Sequence, residues 1–123
     1  MPTMNKWQVT TDPLTLRRLG KLGEELGELA NVASRCIIQG VDATDPGTGK
    51  VNRQRLLDEL ADVAAQIDCT IAAFGLDDAY FDNRRLLKRA QMAEWEALYR
   101  PAGVTVDRHQ VPAPSDADEG KSA

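Results

Sequence analysis

Three stretches of the chain carry apolar residues at alternating spacings of three and four, the pattern of amphipathic helices. The first stretch follows Asp12 and Pro13, a helix start signal, and ends at Gly40. Its periodic positions are Leu19, Leu22, Leu26, Leu29, Ala33 and Cys36. Residues 41–50, VDATDPGTGK, have the composition of a loop. Since no segment alternates with a period of two, the sequence predicts an all-α protein.

Two further helices are predicted by the same spacing. The second is expected to be capped by Asn52 and to end at Gly75. Its periodic positions are Leu56, Leu60, Val63, Ile67, Thr70 and Phe74. The third begins near Asp77 or Asp78 and ends before Pro101. Its apolar positions are Phe81, Leu86, Leu87, Ala90, Ala93, Trp95 and Leu98.

The second helix is apolar on more than one face, which bears on assembly. The residues responsible are Leu56, Leu57, Leu60, Ala61, Ala64 and Ala65. A helix that is apolar on two sides needs two neighbours. With 123 residues, one domain is expected. We therefore predict one helical domain over residues 1–100, completed as a homodimer or homotetramer. Residues 101–123, rich in Pro, small and charged residues, are expected to be a mobile tail or to drape over a partner subunit.

Composition and charge exclude several classes of function. The chain has 15 basic and 19 acidic residues, a formal charge of −4, which argues against nucleic acid as the main partner. No apolar run approaches the length of a membrane span, and no secretory signal is visible. The two cysteines have neither metal-site nor redox-motif spacing. We expect a cytoplasmic protein without membrane contact.

A repeated acidic hexapeptide is the most informative motif. Residues 24–29 read EELGEL and residues 58–63 read DELADV, each in the middle of a predicted helix. Both have the order acid, acid, Leu, small, acid, apolar. One copy would be weak evidence because acid-rich helices are common, but two copies in the same phase are much less expected by chance.

The spacing of these acids predicts a metal site. Glu25 and Glu28 are three residues apart and share a helix face, as do Glu59 and Asp62, and both pairs flank the apolar stripe. If the two helices form an antiparallel hairpin, the four carboxylates converge. Without a counter-ion, burial of each carboxylate would destabilise the fold by roughly several kcal/mol, the usual penalty for burying an isolated charge. All-oxygen ligands suit Mg²⁺ or Mn²⁺, whereas a di-iron or zinc site would need histidine or cysteine ligands.

A second interpretation of the same acids needs no metal. The two acidic faces would be solvated, with ion pairs one helical turn apart, such as Lys21 with Glu25 or Arg55 with Glu59. The in-phase repeat beside the apolar stripe favours the metal site over this alternative.

The pair EELGEL and DELADV resembles the E-x-x-E…E-x-x-D signature of the MazG-like all-α nucleoside triphosphate pyrophosphohydrolases, which are related to dimeric dUTPases. The resemblance covers residues 7 to about 90. It implies a MazG-like helical bundle in which the matching acids, Glu25, Glu28, Glu59 and Asp62, bind Mg²⁺. It also implies metal-dependent hydrolysis of a nucleoside triphosphate to the monophosphate and pyrophosphate.

The third helix extends the resemblance to the substrate's phosphates. Residues 83–89, NRRLLKR, are similar to a family segment that carries an Asn, a basic residue and an Arg. The phosphate-binding positions that this implies are Asn83, Arg85, Lys88 and Arg89. A basic cluster at the edge of the site would suit an anionic substrate, and a solvated helix face is the alternative for the same residues.

The base and sugar are assigned to residues near the acidic motifs. Trp7 and Gln8 match a Trp-Gln pair that recurs upstream of the acidic helix in some family members. Asn31 and Gln66 follow the acids by three and four residues, and amides can read base or sugar edges. Trp7 is an equally good helix-packing residue.

The expected reaction leaves some roles open. Glu24 or Asp58, beside the metal ligands, would orient or deprotonate the attacking water, and a surface ion pair is the alternative for either. Single-domain bacteriophage members of the family, the MazZ type among them, suggest a purine deoxynucleotide, dGTP before dATP. The alternatives are a dUTPase-like hydrolase on the same fold and a non-catalytic helical interaction module.

Overall fold

A computed structural model describes residues 6–100. This part of the chain contains three helices, α1 (Pro13–Gln39), α2 (Asn52–Phe74) and α3 (Asp78–Leu98). Its extended structure is limited to one isolated bridge between Thr44 and Val51. The all-α prediction is therefore confirmed for the described residues. The predicted tail, residues 101–123, lies outside them.

Helix α1 begins and ends at the predicted signals. Asp12 is its N-cap, and one carboxylate oxygen of Asp12 accepts hydrogen bonds of 2.8 Å from both the Thr15 amide and the Thr15 hydroxyl. These bonds lower the pKa of Asp12. Pro13 starts the helix where a missing N–H does no harm. Gly40 follows the last turn with a φ of 106°, which few other residues adopt.

The start of α2 corrects the sequence prediction. Val51, not Asn52, is the N-cap residue, and it makes no side-chain capping bond. Asn52 is the first helical residue and is completely buried. Its side-chain amide donates to Gln39 Oε1 at 2.9 Å and to the Gly40 carbonyl at 3.1 Å, both at the end of α1. The Asn52 side chain thus links the start of α2 to the end of α1 instead of capping its own helix.

Helices α1 and α2 form an antiparallel hairpin, since the end of α1 contacts the start of α2. Val32 and Val63 are the buried hydrophobic residues among those described. Several predicted stripe positions, including Leu19, Leu26 and Leu60, stay nearly half exposed in the single chain. The hairpin therefore has a small apolar core and a large uncovered apolar surface.

The described residues fall into two compact units that divide after Asp78. The first holds the hairpin, and the second holds α3 from Ala79 onward. At the end of α3, the ring centroid of Trp95 lies 5.0 Å from that of Tyr99, the residue that follows the helix. Over residues 6–100, no helix combines the length and hydropathy that crossing a bilayer requires.

Candidate metal centre

Three carboxylates meet across the hairpin. Glu25 and Glu28 on α1 and Glu59 on α2 each offer one oxygen, and these oxygens lie within 4.8 Å of one another. The three residues differ in burial, because Glu25 is only 8% exposed, Glu59 is half-buried and Glu28 is exposed. We call this group the carboxylate cluster. It has the open, one-sided form of a site that a ligand can reach from solvent.

Two oxygens of the carboxylate cluster lack hydrogen-bond partners. Glu25 Oε2 and Glu59 Oε2 are both buried, and neither accepts a hydrogen bond. The other oxygen of Glu25, Oε1, lies 3.1 Å from Lys21 Nζ. A buried acceptor without a donor costs about 1–3 kcal/mol, and more when it is charged. These two inner oxygens are therefore free to coordinate a cation, and residues 6–100 supply no donor for them.

Like charges in the carboxylate cluster repel one another. The negative charge of Glu25, and after it that of Glu59, raises the pKa of Glu28. Lys21 opposes this effect only in part. The pKa of Lys21 is itself raised by its hydrogen bond to Glu25 and by the charges of Glu24 and Glu25. Both shifts indicate a site with an excess of negative charge.

Asp62, the fourth predicted ligand, lies outside this group. It is exposed, one turn beyond Glu59 on α2, and it does not share the 4.8 Å separation of the other three. An aspartate side chain is one methylene shorter than a glutamate side chain. The Asp62 carboxylate therefore extends less far from its helix than the carboxylates of the three glutamates do.

The two candidate proton acceptors each precede a member of the carboxylate cluster in the sequence, Glu24 before Glu25 and Asp58 before Glu59. Glu24 is exposed and lies 3.5 Å from Lys21 Nζ. Asp58 is exposed and accepts a 2.9 Å hydrogen bond from the Gln54 side chain. Each carries a surface interaction of the kind that the alternative interpretation expects, and each remains accessible to solvent.

The predicted substrate-binding residues are mostly at the surface. Trp7, Gln8 and Asn31 are exposed, and Gln66 is half-buried. The predicted phosphate-binding residues are all exposed on α3, in the second unit: Asn83, Arg85, Lys88 and Arg89. Arg85 lies 3.7 Å from Asp82 within that helix. The roles of these residues stay predictions.

A polar network at the hairpin loop was not foreseen. Asp45 is buried, and its carboxylate accepts hydrogen bonds from Gln39 Nε2 at 3.1 Å and from the Thr48 amide and hydroxyl at 2.9 and 3.0 Å. Arg55 lies 3.7 Å from Asp45, instead of pairing with Glu59. Together with Asn52, these residues make what we call the hairpin clasp. The feature of the sequence that indicates such a network is the turn sequence Asp-Pro-Gly-Thr at residues 45–48.

Comparison of the chain with protein-family models, with curated proteins and with solved structures gives no match. Three carboxylates with two unpartnered buried oxygens, joined from two helices, can bind a hard divalent cation.

Proposed function

We propose that this protein is a metal-dependent (deoxy)nucleoside triphosphate pyrophosphohydrolase of the MazG-like type. The observation that carries the proposal is the carboxylate cluster, in which the 8% exposed Glu25 lies beside Glu28 and Glu59. A solvated acidic face would leave all its carboxylates exposed and turned apart. Lys21 pairs with one oxygen of Glu25, as the metal-free interpretation expects, but the buried and unpartnered Oε2 favours a cation as a second partner.

The ligand set fits Mg²⁺ or Mn²⁺. Glu25, Glu28 and Glu59 offer oxygen atoms alone, the donors that these hard cations prefer. The two unpartnered oxygens, Glu25 Oε2 and Glu59 Oε2, are the first atoms that we expect to coordinate. Asp62, one turn further along α2, is the fourth ligand that the family resemblance implies.

The proposed reaction is attack by water on the α-phosphorus. A bond forms between the water oxygen and that phosphorus, the α–β bridging bond breaks, and pyrophosphate leaves with the bonding electrons. When bound, the cations neutralise phosphate charge and make the water more acidic. Glu24 or Asp58 accepts the proton that the water loses, since both carboxylates are exposed and each is adjacent in sequence to a proposed ligand.

Substrate preference rests on the resemblance. Purine deoxynucleoside triphosphates are proposed, dGTP first and dATP second, with dUTP as the alternative on the same fold. Trp7, Gln8, Asn31 and Gln66 are the proposed base and sugar contacts. The proposed phosphate contacts on α3 are Asn83, Arg85, Lys88 and Arg89.

Assembly as a homodimer or homotetramer is part of the proposal. It is supported by the apolar surface that the hairpin leaves uncovered, which includes Ile37, Ile38 and Leu57. Large exposed apolar patches on a helical hairpin commonly mark a protein–protein contact. A second copy would cover the second apolar face of α2.

The first experiment measures the melting temperature in EDTA and at rising Mn²⁺ concentration. A cation that binds only the folded protein raises the melting temperature. The response should disappear in Glu59→Gln, which removes one ligand charge at nearly constant shape. Glu94→Gln, the same exchange at an exposed position on α3, should keep the response. No response in the unchanged protein would favour the non-catalytic interaction module.

The second experiment tests the reaction. A panel of NTPs and dNTPs with Mg²⁺ or Mn²⁺ is assayed for pyrophosphate, and Glu59→Gln should release none. Release of inorganic phosphate instead of pyrophosphate would contradict attack at the α-phosphorus. Cation binding without turnover on any nucleotide would keep the metal site and refute the proposed reaction.

A further inference from the structure

Lys21 is the basic residue in contact with the carboxylate cluster. Its ammonium lies 3.1 Å from Glu25 Oε1 and 3.5 Å from Glu24 Oε2, one turn along α1. The Lys21 side chain is 49% exposed and the Glu25 side chain 11% exposed. The ammonium therefore approaches the buried carboxylate from the solvent side.

The charges at this point are unequal. Glu25, Glu28 and Glu59 together bring three carboxylates. Among the described residues, Lys21 is the cation that forms an ion pair with them. It contacts the outer oxygen of Glu25 and leaves the inner oxygens of Glu25 and Glu59 unpartnered. One ammonium thus offsets only part of the charge, from one side.

We propose that Lys21 is the built-in counter-ion of the carboxylate cluster and that it sets the affinity of the site by competing with the divalent cation. This inference rests on the proposed metal site. In the metal-free protein the Lys21 ammonium stabilises the buried Glu25 carboxylate. Once a cation binds the inner oxygens, the same ammonium repels it, because both are positive and share the carboxylate of Glu25.

The competition has a defined direction. Removing the charge of Lys21 destabilises the metal-free hairpin, because Glu25 stays buried without a counter-ion. The same change strengthens cation binding. Coulomb's law gives about tenfold for a unit charge and a divalent ion roughly 6 Å apart in a water-like dielectric. A lysine that merely supported the helix would have the first effect without the second.

The test is a Mn²⁺ titration of Lys21→Met, which keeps an unbranched side chain only one atom shorter and removes its charge. In EDTA the variant should melt below the unchanged protein. Its Mn²⁺ midpoint, followed by melting temperature and by calorimetry, should lie about tenfold lower. At saturating Mn²⁺ the two melting temperatures should converge.

Two controls separate charge from side-chain packing. Arg35→Met removes one positive charge at an exposed position farther along α1, and it should titrate like the unchanged protein. Lys21→Arg keeps the charge and should also titrate normally. If Lys21→Met folds only with Mn²⁺, the inference is supported, and Lys21→Gln then gives the midpoint.

Failure of the role of Lys21 and failure of the metal site give different results in this experiment. An unchanged or higher Mn²⁺ midpoint in Lys21→Met, beside a normal titration of the unchanged protein, would overturn the role of Lys21 alone. No Mn²⁺ response in the unchanged protein would overturn the proposed metal site and this inference with it.

Discussion

The buried amide of Asn52 should contribute more to the stability of the hairpin than the charged residue next to it. Asn52 is completely buried and bridges α2 to Gln39 and Gly40 at the end of α1. Its neighbour Arg53 also bridges α2 to the loop, through two bonds of 2.7 and 3.1 Å to Asp42. Both members of that ion pair are well exposed. The two residues therefore compare buried and exposed polar contacts at adjacent positions.

The magnitude for Asn52→Ala follows from its two donated bonds. The loss of the bond to Gln39 costs about 1 kcal/mol, since that side chain can turn to another partner. The loss of the bond to Gly40 also costs about 1 kcal/mol, since the Gly40 carbonyl still accepts a hydrogen bond of 3.3 Å from the Ala43 amide. Alanine returns up to about 0.7 kcal/mol of helix propensity. The net loss is about 1 kcal/mol, or a fall of roughly 5 °C in melting temperature for a domain of this size.

Thermal and urea unfolding in EDTA provide the assay, with Arg53→Ala as the matched control. Water screens the exposed pair between Arg53 and Asp42, so the control should melt close to the unchanged protein. A melting temperature for Asn52→Ala within about 2 °C of the unchanged protein would refute the stability that we assign to the two buried hydrogen bonds. A larger loss in Arg53→Ala than in Asn52→Ala would refute it equally.

Three further predictions concern single carboxylates. Glu28→Gln should raise the melting temperature in EDTA, because it removes the repulsion by Glu25 that raises the pKa of Glu28, and should reduce the stabilisation by Mn²⁺; a fall in EDTA would contradict the repulsion. Asp62→Asn should lose pyrophosphate release yet keep most of the Mn²⁺ stabilisation, because Asp62 lies outside the preformed group; loss of both would make it an obligatory ligand. Asp12→Ala should melt a few degrees lower at neutral pH. Since the folded-state pKa of Asp12 is lowered, this difference should shrink as the pH falls below about 4, and a constant difference would argue against the charged cap.

Helix boundaries were predictable wherever a single residue type determines the local backbone. Asp12 with Pro13 begins α1, and Gly40 and Gly75 follow the ends of α1 and α2 with positive φ angles of 106° and 59°. These signals act over one helical turn, so they can be identified in the sequence alone.

The role of Asn52 could not be predicted from local sequence signals. An asparagine at the start of a helix is a common cap, and the sequence offers no sign that this one bonds across the hairpin. Its partners, Gln39 and Gly40, are 13 and 12 residues away. Whether Asn52 caps α2 or bonds across the hairpin depends on its burial, and its burial depends on how α1 and α2 pack.

The carboxylate cluster was predictable as a face but not as a set of atoms. The three-residue spacing placed Glu25 and Glu28 together, and the repeat placed Glu59 on the facing helix. Helical periodicity gives the direction of a side chain, not its reach, so the place of Asp62 outside the group could not be derived. Nor could the choice of Glu25 as the most buried acid.

The small core of the hairpin and its buried carboxylate belong to one problem. Val32 and Val63 are its buried hydrophobic residues within the described chain, and full burial of a valine contributes about 1.5–3 kcal/mol. Burying an unpaired carboxylate costs several kcal/mol, about as much as both valines supply. The half-exposed Lys21 offsets only part of that cost. Groups that neutralise this charge or cover the exposed apolar residues of the hairpin would therefore add to its stability. A cation at the carboxylate cluster and a second copy on the apolar face of α2 would each do so, the first by charge and the second by hydrophobic burial. For this reason the site and the assembly are proposed together, and we expect a protein deprived of either to lose stability as well as activity.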